Sequence, residues 1–517
     1  MYPQSTLSRS VLLLWLFQFS AARIFTLEMH HRFSDHVKEW SRRTGSGYQA
    51  HEWPEKGSVG YYALLVSHDR VLHRRRLSGS DGALTFSDGN STLRISSLGF
   101  LHYTTVTLGT PGLRFLVALD TGSDLFWVPC NCVTCASTDD SPYSSDFELS
   151  IYDPGGSTTS QNITCNNDLC PNHDSCSDTS NNCPYHVSYM SSETSTSGVL
   201  MEDILHLRTL ENDAEFVKAN ITFGCGQVQT GSFLDIAAPN GLFGLGLEKL
   251  SVPSILSREG YVSDSFSLCF GYDGTGRINF GDKGSLDQEE TQFIKNIFHP
   301  IYKVMVTQVR VGTNDIDSKF TALFDSGTSF TYLADPIYTL LSESFNSYPR
   351  DKRSPPDRRL PFEYCYIMST ETNKSLIPAM SLVMNGGGQM IVRDPIVVIT
   401  TPHELVYCLA IVKSQEVNII GQNFMTGYCI VFDREKLVLG WKQFDCCDTS
   451  NINAFQPEDG NNNSAPPSVS ESFRNHTTKS DELKSSTARN LVVSSLYQII
   501  TFDLIQALLI HMVIRVI

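Results

Sequence analysis

One pattern of apolar and polar positions occurs twice along this chain. Phe115-Leu-Val-Ala-Leu-Asp120-Thr-Gly-Ser-Asp-Leu-Phe-Trp127 is an apolar run stopped by an acid, followed by hydroxyl, Gly, hydroxyl. Phe320-Thr-Ala-Leu-Phe-Asp325-Ser-Gly-Thr-Ser-Phe-Thr-Tyr332 repeats it. In both copies an aromatic lies five residues before the acid and another seven after. Upstream, Tyr103-Thr-Thr-Val-Thr-Leu108 alternates loosely and meets Gly109-Thr-Pro111, which predicts a strand ending in a turn. Tyr302 to Val311, ending at Gly312, plays the same part before the second copy. Downstream, Asn240-Gly-Leu242-Phe243-Gly244 matches Asn418-Ile419-Ile420-Gly421, two apolar residues before a Gly. Helices are few. Asp335-Pro336 predicts an N-cap and first-turn pair, with Ile337, Leu340, Leu341 and Phe345 at helical spacing behind it. Ser251-Val-Pro253 opens a shorter helix. The rest is β-branched or aromatic runs broken by Gly, Asn and Asp. The class is all-β, in two lobes related by duplication.

The ends of the chain read differently. Residues 1–22 carry Arg9 and then a short apolar run ending in small residues, the form of a signal peptide. A buried helix is the alternative, since the run is too short to span a bilayer. Residues 23–97 read as a polar, irregular prosegment. Its basic run His73-Arg74-Arg75-Arg76 is either a processing site or a solvated face. The first lobe is expected over 98–290 and the second over 291–448. Residues 449–490 have linker composition, and 491–517 form a hydrophobic tail. Such a tail reads as a GPI-type lipid-anchor signal with Ser485-Ser486-Thr487 as a candidate small-residue site. Asp503, His511 and Arg515 interrupt it, and a transmembrane anchor or a docked terminal helix is the alternative.

The 517 residues carry a net charge of −16, which argues against a nucleic-acid partner. Fourteen Cys fit an oxidising compartment. Cys130, Cys132, Cys135, Cys165, Cys170, Cys176 and Cys183 crowd into one stretch rich in Ser, Asn and Asp, read as an insertion stapled by disulfides. Zinc is the weaker reading, because no partner cluster at finger spacing follows. Cys225, Cys269, Cys365, Cys408 and Cys429 are further disulfide candidates, with connectivity left open, and the adjacent Cys446 and Cys447 are expected to bond elsewhere. Glycosylation sequons stand at Asn90, Asn162, Asn220, Asn373, Asn462 and Asn475. Together these features place the chain in the secretory pathway, extracellular or at the cell surface, with an endomembrane or vacuolar location the alternative.

An acid ending a buried strand is costly unless it has partners, and hydroxyl–Gly–hydroxyl supplies them. Gly lets the backbone approach the carboxylate, and Ser or Thr donates to its oxygens. Two such turns face to face offer paired carboxylates that share one proton, because like charges about 3 Å apart cannot both ionise. The ionised acid can activate a water while the protonated one polarises a carbonyl, with no metal or other cofactor.

Asp120-Thr-Gly-Ser, Asp325-Ser-Gly-Thr, Trp127 and the two apolar-apolar-Gly segments resemble the pepsin-like aspartic proteases over residues 98–448. The Cys-rich insertion and Phe223-Gly-Cys225-Gly resemble the plant nepenthesin-type branch. The resemblance implies a bilobal pepsin-like acid protease fold with the cleft between lobes, a protein or peptide substrate, apolar residues flanking the cut, and a monomer. It implies Asp120 and Asp325 as the catalytic pair. Thr121 and Ser326 would brace the two loops, around Gly122 and Gly327, and Ser123 and Thr328 would hydrogen-bond the acids. Tyr189 resembles the flap tyrosine, with Trp127 as its partner. Met190-Ser-Ser-Glu193-Thr departs from the family, whose flap carries glycines after Tyr.

The competing reading is a non-catalytic binding or inhibitor protein on the same fold, motivated by that flap and the insertion.

Overall fold

A computed structural model describes residues 23–42, 53–77, 99–136, 149–171, 176, 181–189, 194–209, 216–234, 237–295, 301–369 and 376–443. The signal peptide, the linker and tail, Cys446, Cys447 and the sequons Asn90, Asn373, Asn462 and Asn475 lie outside the described residues.

The chain enters the fold through β1 (Phe25–His31), α1 (Asp35–Arg42) and α2 (Val59–Leu77). This corrects the expectation of an irregular segment. β1 buries Phe25 and Met29 in the main core, and α2 buries Ala63, Leu64, Leu65 and Val66. Each large apolar side chain so buried contributes roughly 1.5–3 kcal/mol. The order comes from what these residues dock on, so local composition does not report it.

In the first lobe, β2 (His102–Leu108) and β3 (Leu113–Asp120) pair as a hairpin from Tyr103↔Ala118 to Leu108↔Leu113. β4 (Trp127–Thr134) follows, then β5 (Pro184–Ser188), the long hairpin β6 (Ser195–Thr209) and β7 (Phe216–Gln229), and the short β8 (Leu242–Gly244). β8 lies parallel to β3 at Asp120↔Gly244 and antiparallel to β4 at Trp127↔Leu242, while β4 runs parallel to β7. α3 (Val252–Arg258) has Ser251 as its N-cap, as expected. β9 (Ser265–Phe270) and β10 (Thr275–Phe280) continue the same sheet, and β1 pairs with β10 from Phe25↔Phe280 to His30↔Thr275.

The second lobe repeats the first. β11 (Lys303–Val311) pairs with β12 (Phe320–Phe324), and β13 (Thr331–Ala334) follows. α4 (Ile337–Asn346) begins one residue later than expected, with Pro336 at the N-cap position, while the Asp335 carboxylate accepts from Thr339. β14 (Ile411–Ser414) runs parallel to β13. β15 (Ile419–Ile420) lies parallel to β12 at Phe324↔Ile420 and antiparallel to β13 at Tyr332↔Ile419. β16 (Tyr428–Asp433) and β17 (Val438–Gln443) return to the first sheet beside β9.

Thus each acid-bearing strand is flanked by its own apolar-apolar-Gly segment. A Cβ at Gly244 would sit 2.1 Å from the Asp124 carbonyl oxygen, and one at Gly421 would sit 2.1 Å from that of Phe330. Both positions are glycine because the loop after the acid crosses directly over them.

Disulfides join Cys130–Cys225, Cys132–Cys135, Cys165–Cys176, Cys170–Cys183 and Cys365–Cys408, and Cys269 is also in a disulfide. The sulfurs of Cys165, Cys170 and Cys176 come within 4.8 Å of one another, but all three are consumed in bridges. Cys429 corrects the expectation of a bridge. It faces Cys269 across β9 and β16, and because Cys269 is bonded elsewhere, Cys429 stays a free buried thiol, pushed up to about 12 by burial. Asn162 and Asn220 are exposed. No helix among the described residues is long and apolar enough to cross a membrane.

Candidate active site

Asp120 ends β3 and Asp325 follows β12 directly, and both side chains line one cleft of about 810 Å³. The turns after them are built alike. Gly122 N donates to Asp120 Oδ1 at 2.8 Å and Gly327 N donates to Asp325 Oδ1 at 2.9 Å. The carbonyl of Ser123 accepts from Gly246 N, and that of Thr328 from Gln422 N, each at 2.8 Å. Thr121 Oγ1 and Ser326 Oγ approach to 3.4 Å, so the two loops meet through their first hydroxyls.

The second hydroxyls differ. Thr328 Oγ1 donates to Asp325 Oδ2 at 2.8 Å. Ser123 Oγ is buried and, among the described residues, makes no hydrogen bond to Asp120, contrary to the expectation that it would bond its acid. The loops share a backbone plan but not the same side-chain support.

Trp127 Nε1 donates to Tyr189 Oη at 2.9 Å. The Tyr189 ring meets Phe233 edge-on at 5.0 Å, and Trp127 meets the same ring at 4.9 Å. Burial, and then the nearby Asp120, hold the Tyr189 phenol well above its ordinary value, so it stays neutral. Residues 190–193, where the flap departs from the family pattern, lie outside the described residues.

Four residues that sequence reasoning missed belong here. Phe233 completes the aromatic trio, but one Phe after Gly231-Ser gives no periodic signal. Asp124, a third acid lining the cleft, accepts from Glu248 N at 2.7 Å, and burial pushes its carboxyl up to about 6. Its place beside the Asp120 motif was a usable signal. His68 and Asp69 come from α2. His68 lines the cleft, with Nε2 3.0 Å from the Gly327 carbonyl oxygen. Asp69 is fully buried and accepts from Ser329 N at 2.8 Å, Phe330 N at 3.1 Å and Tyr332 Oη at 3.2 Å. Nothing in the local sequence marks these two, because their partners are about 260 residues away.

The arrangement presents two carboxylates with fixed backbone donors to one shared cleft. Residues 102–282 match the family model described as "Xylanase inhibitor N-terminal", and residues 301–443 the one described as "Xylanase inhibitor C-terminal". "Aspartyl protease family protein 1" of Arabidopsis thaliana is 51% identical over 448 residues, 86% of each chain. "Aspartic proteinase-like protein 1" of the same plant is 40% identical over 458 residues, 85% of each. Among solved structures, conglutin gamma, a basic 7S globulin from lupine seeds, shares the fold at a TM-score of 0.52. Its identity is 19%, over 69% of this chain and 96% of that one.

Proposed function

The chain belongs to the pepsin-like aspartic proteases and is an aspartic endopeptidase, and we propose that Asp120 and Asp325 are its catalytic pair. The supporting observation is that duplicated strand ends deliver both carboxylates to one cleft, each held by a Gly N–H. In this mechanism the two carboxyls share one proton. The ionised carboxylate takes a proton from water as that water attacks the scissile carbonyl carbon. The protonated carboxyl donates to the carbonyl oxygen, giving a tetrahedral diol. Collapse of the diol breaks the C–N bond, and a carboxyl of the pair delivers the proton the leaving amine needs. The fixed Gly amides keep the acids oriented without reorganisation during the reaction. Asp120→Asn and Asp325→Asn should each abolish cleavage of an acid-unfolded protein, and a statine-type mimic should bind the native chain tightly. Activity surviving either change removes the pair from the mechanism. A purely binding role would not need the intact motifs present in both halves.

The chain is expected to begin with a signal peptide over 1–22 and a prosegment over 23–97. The contacts of His68 and Asp69 with the loop after Asp325 support a prosegment that holds the cleft shut until it is removed. The disulfides suit a secretory route. Exposed Asn162 and Asn220 are the described glycosylation candidates. Membrane attachment through residues 491–517 and a monomeric state complete the proposal. N-terminal sequencing of acid-matured protein, with phospholipase release from membranes, tests these assignments.

A further inference from the structure

The cleft wall beside Asp325 is one face of the second-lobe sheet. Lys303 on β11 pairs with Leu323 on β12, and Leu323 pairs with Ile419 on β15. Residues in register across neighbouring strands share a face, as do residues two apart along a strand. This places Lys303, Leu323 and Ile419 in one row, with Ile301 and Thr321 beside it, and all five line the cleft. Buried Ala322 and Phe324 alternate with half-exposed Thr321 and Leu323, so the face is the one turned from the core. Asp325 follows Leu323 by two residues on the same strand line.

Lys303 is the exception in this row. Its neighbours there are apolar or hydroxyl, and it is half-buried. Among the described residues, no hydrogen bond or ion pair engages its ammonium. The other cation of the wall, Lys249, is used by the Asp168 carbonyl oxygen. Of the remaining charged and titratable groups lining the cleft, Asp124 is held by Glu248 N, His186 meets Ser188 and His68 meets Gly327. Glu248 and Glu416 are exposed at its margin.

We propose that Lys303 is a specificity residue, whose ammonium receives an acidic side chain of the peptide substrate. The position follows from strand geometry. One inter-strand step and two residues along β12 separate the Cα atoms of Lys303 and Asp325 by about 8 Å, and an extended substrate rises about 3.3 Å per residue. The acidic residue therefore lies within about three residues of the bond cut, while half-buried Ile301 and Leu323 take apolar side chains around it. The inference rests on the endopeptidase reading and adds a substrate class to it.

The test uses the full-length chain matured at acidic pH and a set of peptides with one apolar cleavage pair. Glu, Gln or Lys is placed at each neighbouring position in turn. At pH 5.5 one position should show kcat/KM for Glu about tenfold above Gln, the scale of a charge-assisted contact. The preference should vanish at pH 3, where a Glu side chain of ordinary pKa about 4.3 is protonated. It should persist there for cysteic acid, which remains ionised. Lys303→Ala should bring the ratio near one, Lys303→Arg should retain it, and Lys303→Glu should reverse it in favour of Lys. Equal rates for Glu and Gln at every position overturn the proposal, as does a Glu preference that survives Lys303→Glu. If wild type cuts no peptide at all, the endopeptidase reading itself falls; cutting without charge preference removes only the role of Lys303.

Discussion

His68 Nε2 lies 3.0 Å from the carbonyl oxygen of Gly327, two residues past Asp325. The next residue, Asp69, accepts the backbone N–H groups of Ser329 and Phe330. Two consecutive residues of the N-terminal segment thus hold the loop that carries one acid of the proposed pair. The loop's own hydrogen bonds orient Asp325, and α2 adds an external clamp to the same backbone.

Removing the clamp should loosen the segment. Asp69→Ala removes the carboxylate that accepts from two buried amides and the Tyr332 hydroxyl, at a cost of roughly 1–3 kcal/mol. In unprocessed protein the melting temperature should fall by several degrees and acid maturation should speed up about tenfold. Asp69→Asn, which keeps one acceptor oxygen, should fall between. Differential scanning calorimetry and gel-followed maturation check this; an unchanged maturation rate argues against the clamp.

Acid should release the segment. Burial lowers His30 to about 4, with stacked His36 adding to the effect and Glu28 opposing it. His31 is held well below its ordinary value by burial, then by His102, Arg32, His68 and Lys56. Burial likewise lowers His102 to about 4, opposed by the hydrogen bond its ring donates to the Ser326 carbonyl oxygen. For all three the docked form is favoured above pH 6.5; His30 and His102 lose that stability as pH falls through about 4, and His31 acts in the same direction. Asp69 runs the other way. Burial raises it to about 7, so its contribution is full below 3.8 and lost as pH rises through 7. Three groups outweigh one, and α2 should lose protection on acidification. Hydrogen exchange of Asp120→Asn protein at pH 7.5 and 4.5 reads this directly; greater protection at 4.5 would mean that Asp69 dominates.

The two second hydroxyls should not be equivalent. Thr328→Ala removes a charge-assisted bond to Asp325 and should lower kcat/KM by roughly tenfold or more. Ser123→Ala removes a hydroxyl that does not bond Asp120 and should cost little. Equal losses would show that the asymmetry disappears when substrate binds.

Trp127 and Tyr189 should behave as a unit. Tyr189→Phe and Trp127→Phe each break the same 2.9 Å bond, so each should lower kcat/KM by about tenfold, and the double variant should be little worse than either. Additive losses would mean that the contact does not mediate the effect.

The duplicated architecture was readable because its signals are local. Asp120 and Asp325 end apolar runs, and Leu242-Phe243-Gly244 and Ile419-Ile420-Gly421 announce the strands that flank them. Trp127 and Tyr189 also meet as expected. What stayed hidden depends on distant partners. Residues 23–77 look polar and irregular until β1 finds β10 and α2 finds the loop after Asp325. Cys429 looks like any other cysteine until β9 brings Cys269, already bonded, opposite it. Ser123 and Thr328 occupy matching places in the repeat, yet only the folded loops distinguish them.

β1 is held on one side by β10, from Phe25↔Phe280 to His30↔Thr275, and touches β2 on the other through His30↔Tyr103 and His31↔His102. If the proposed prosegment is cut away after residue 97, the covalent link is freed while β1 stays inserted as a strand between its neighbours. If it departs, β10 gains a bare edge of N–H and C=O groups inside a continuous sheet, an invitation to whatever extended chain comes next.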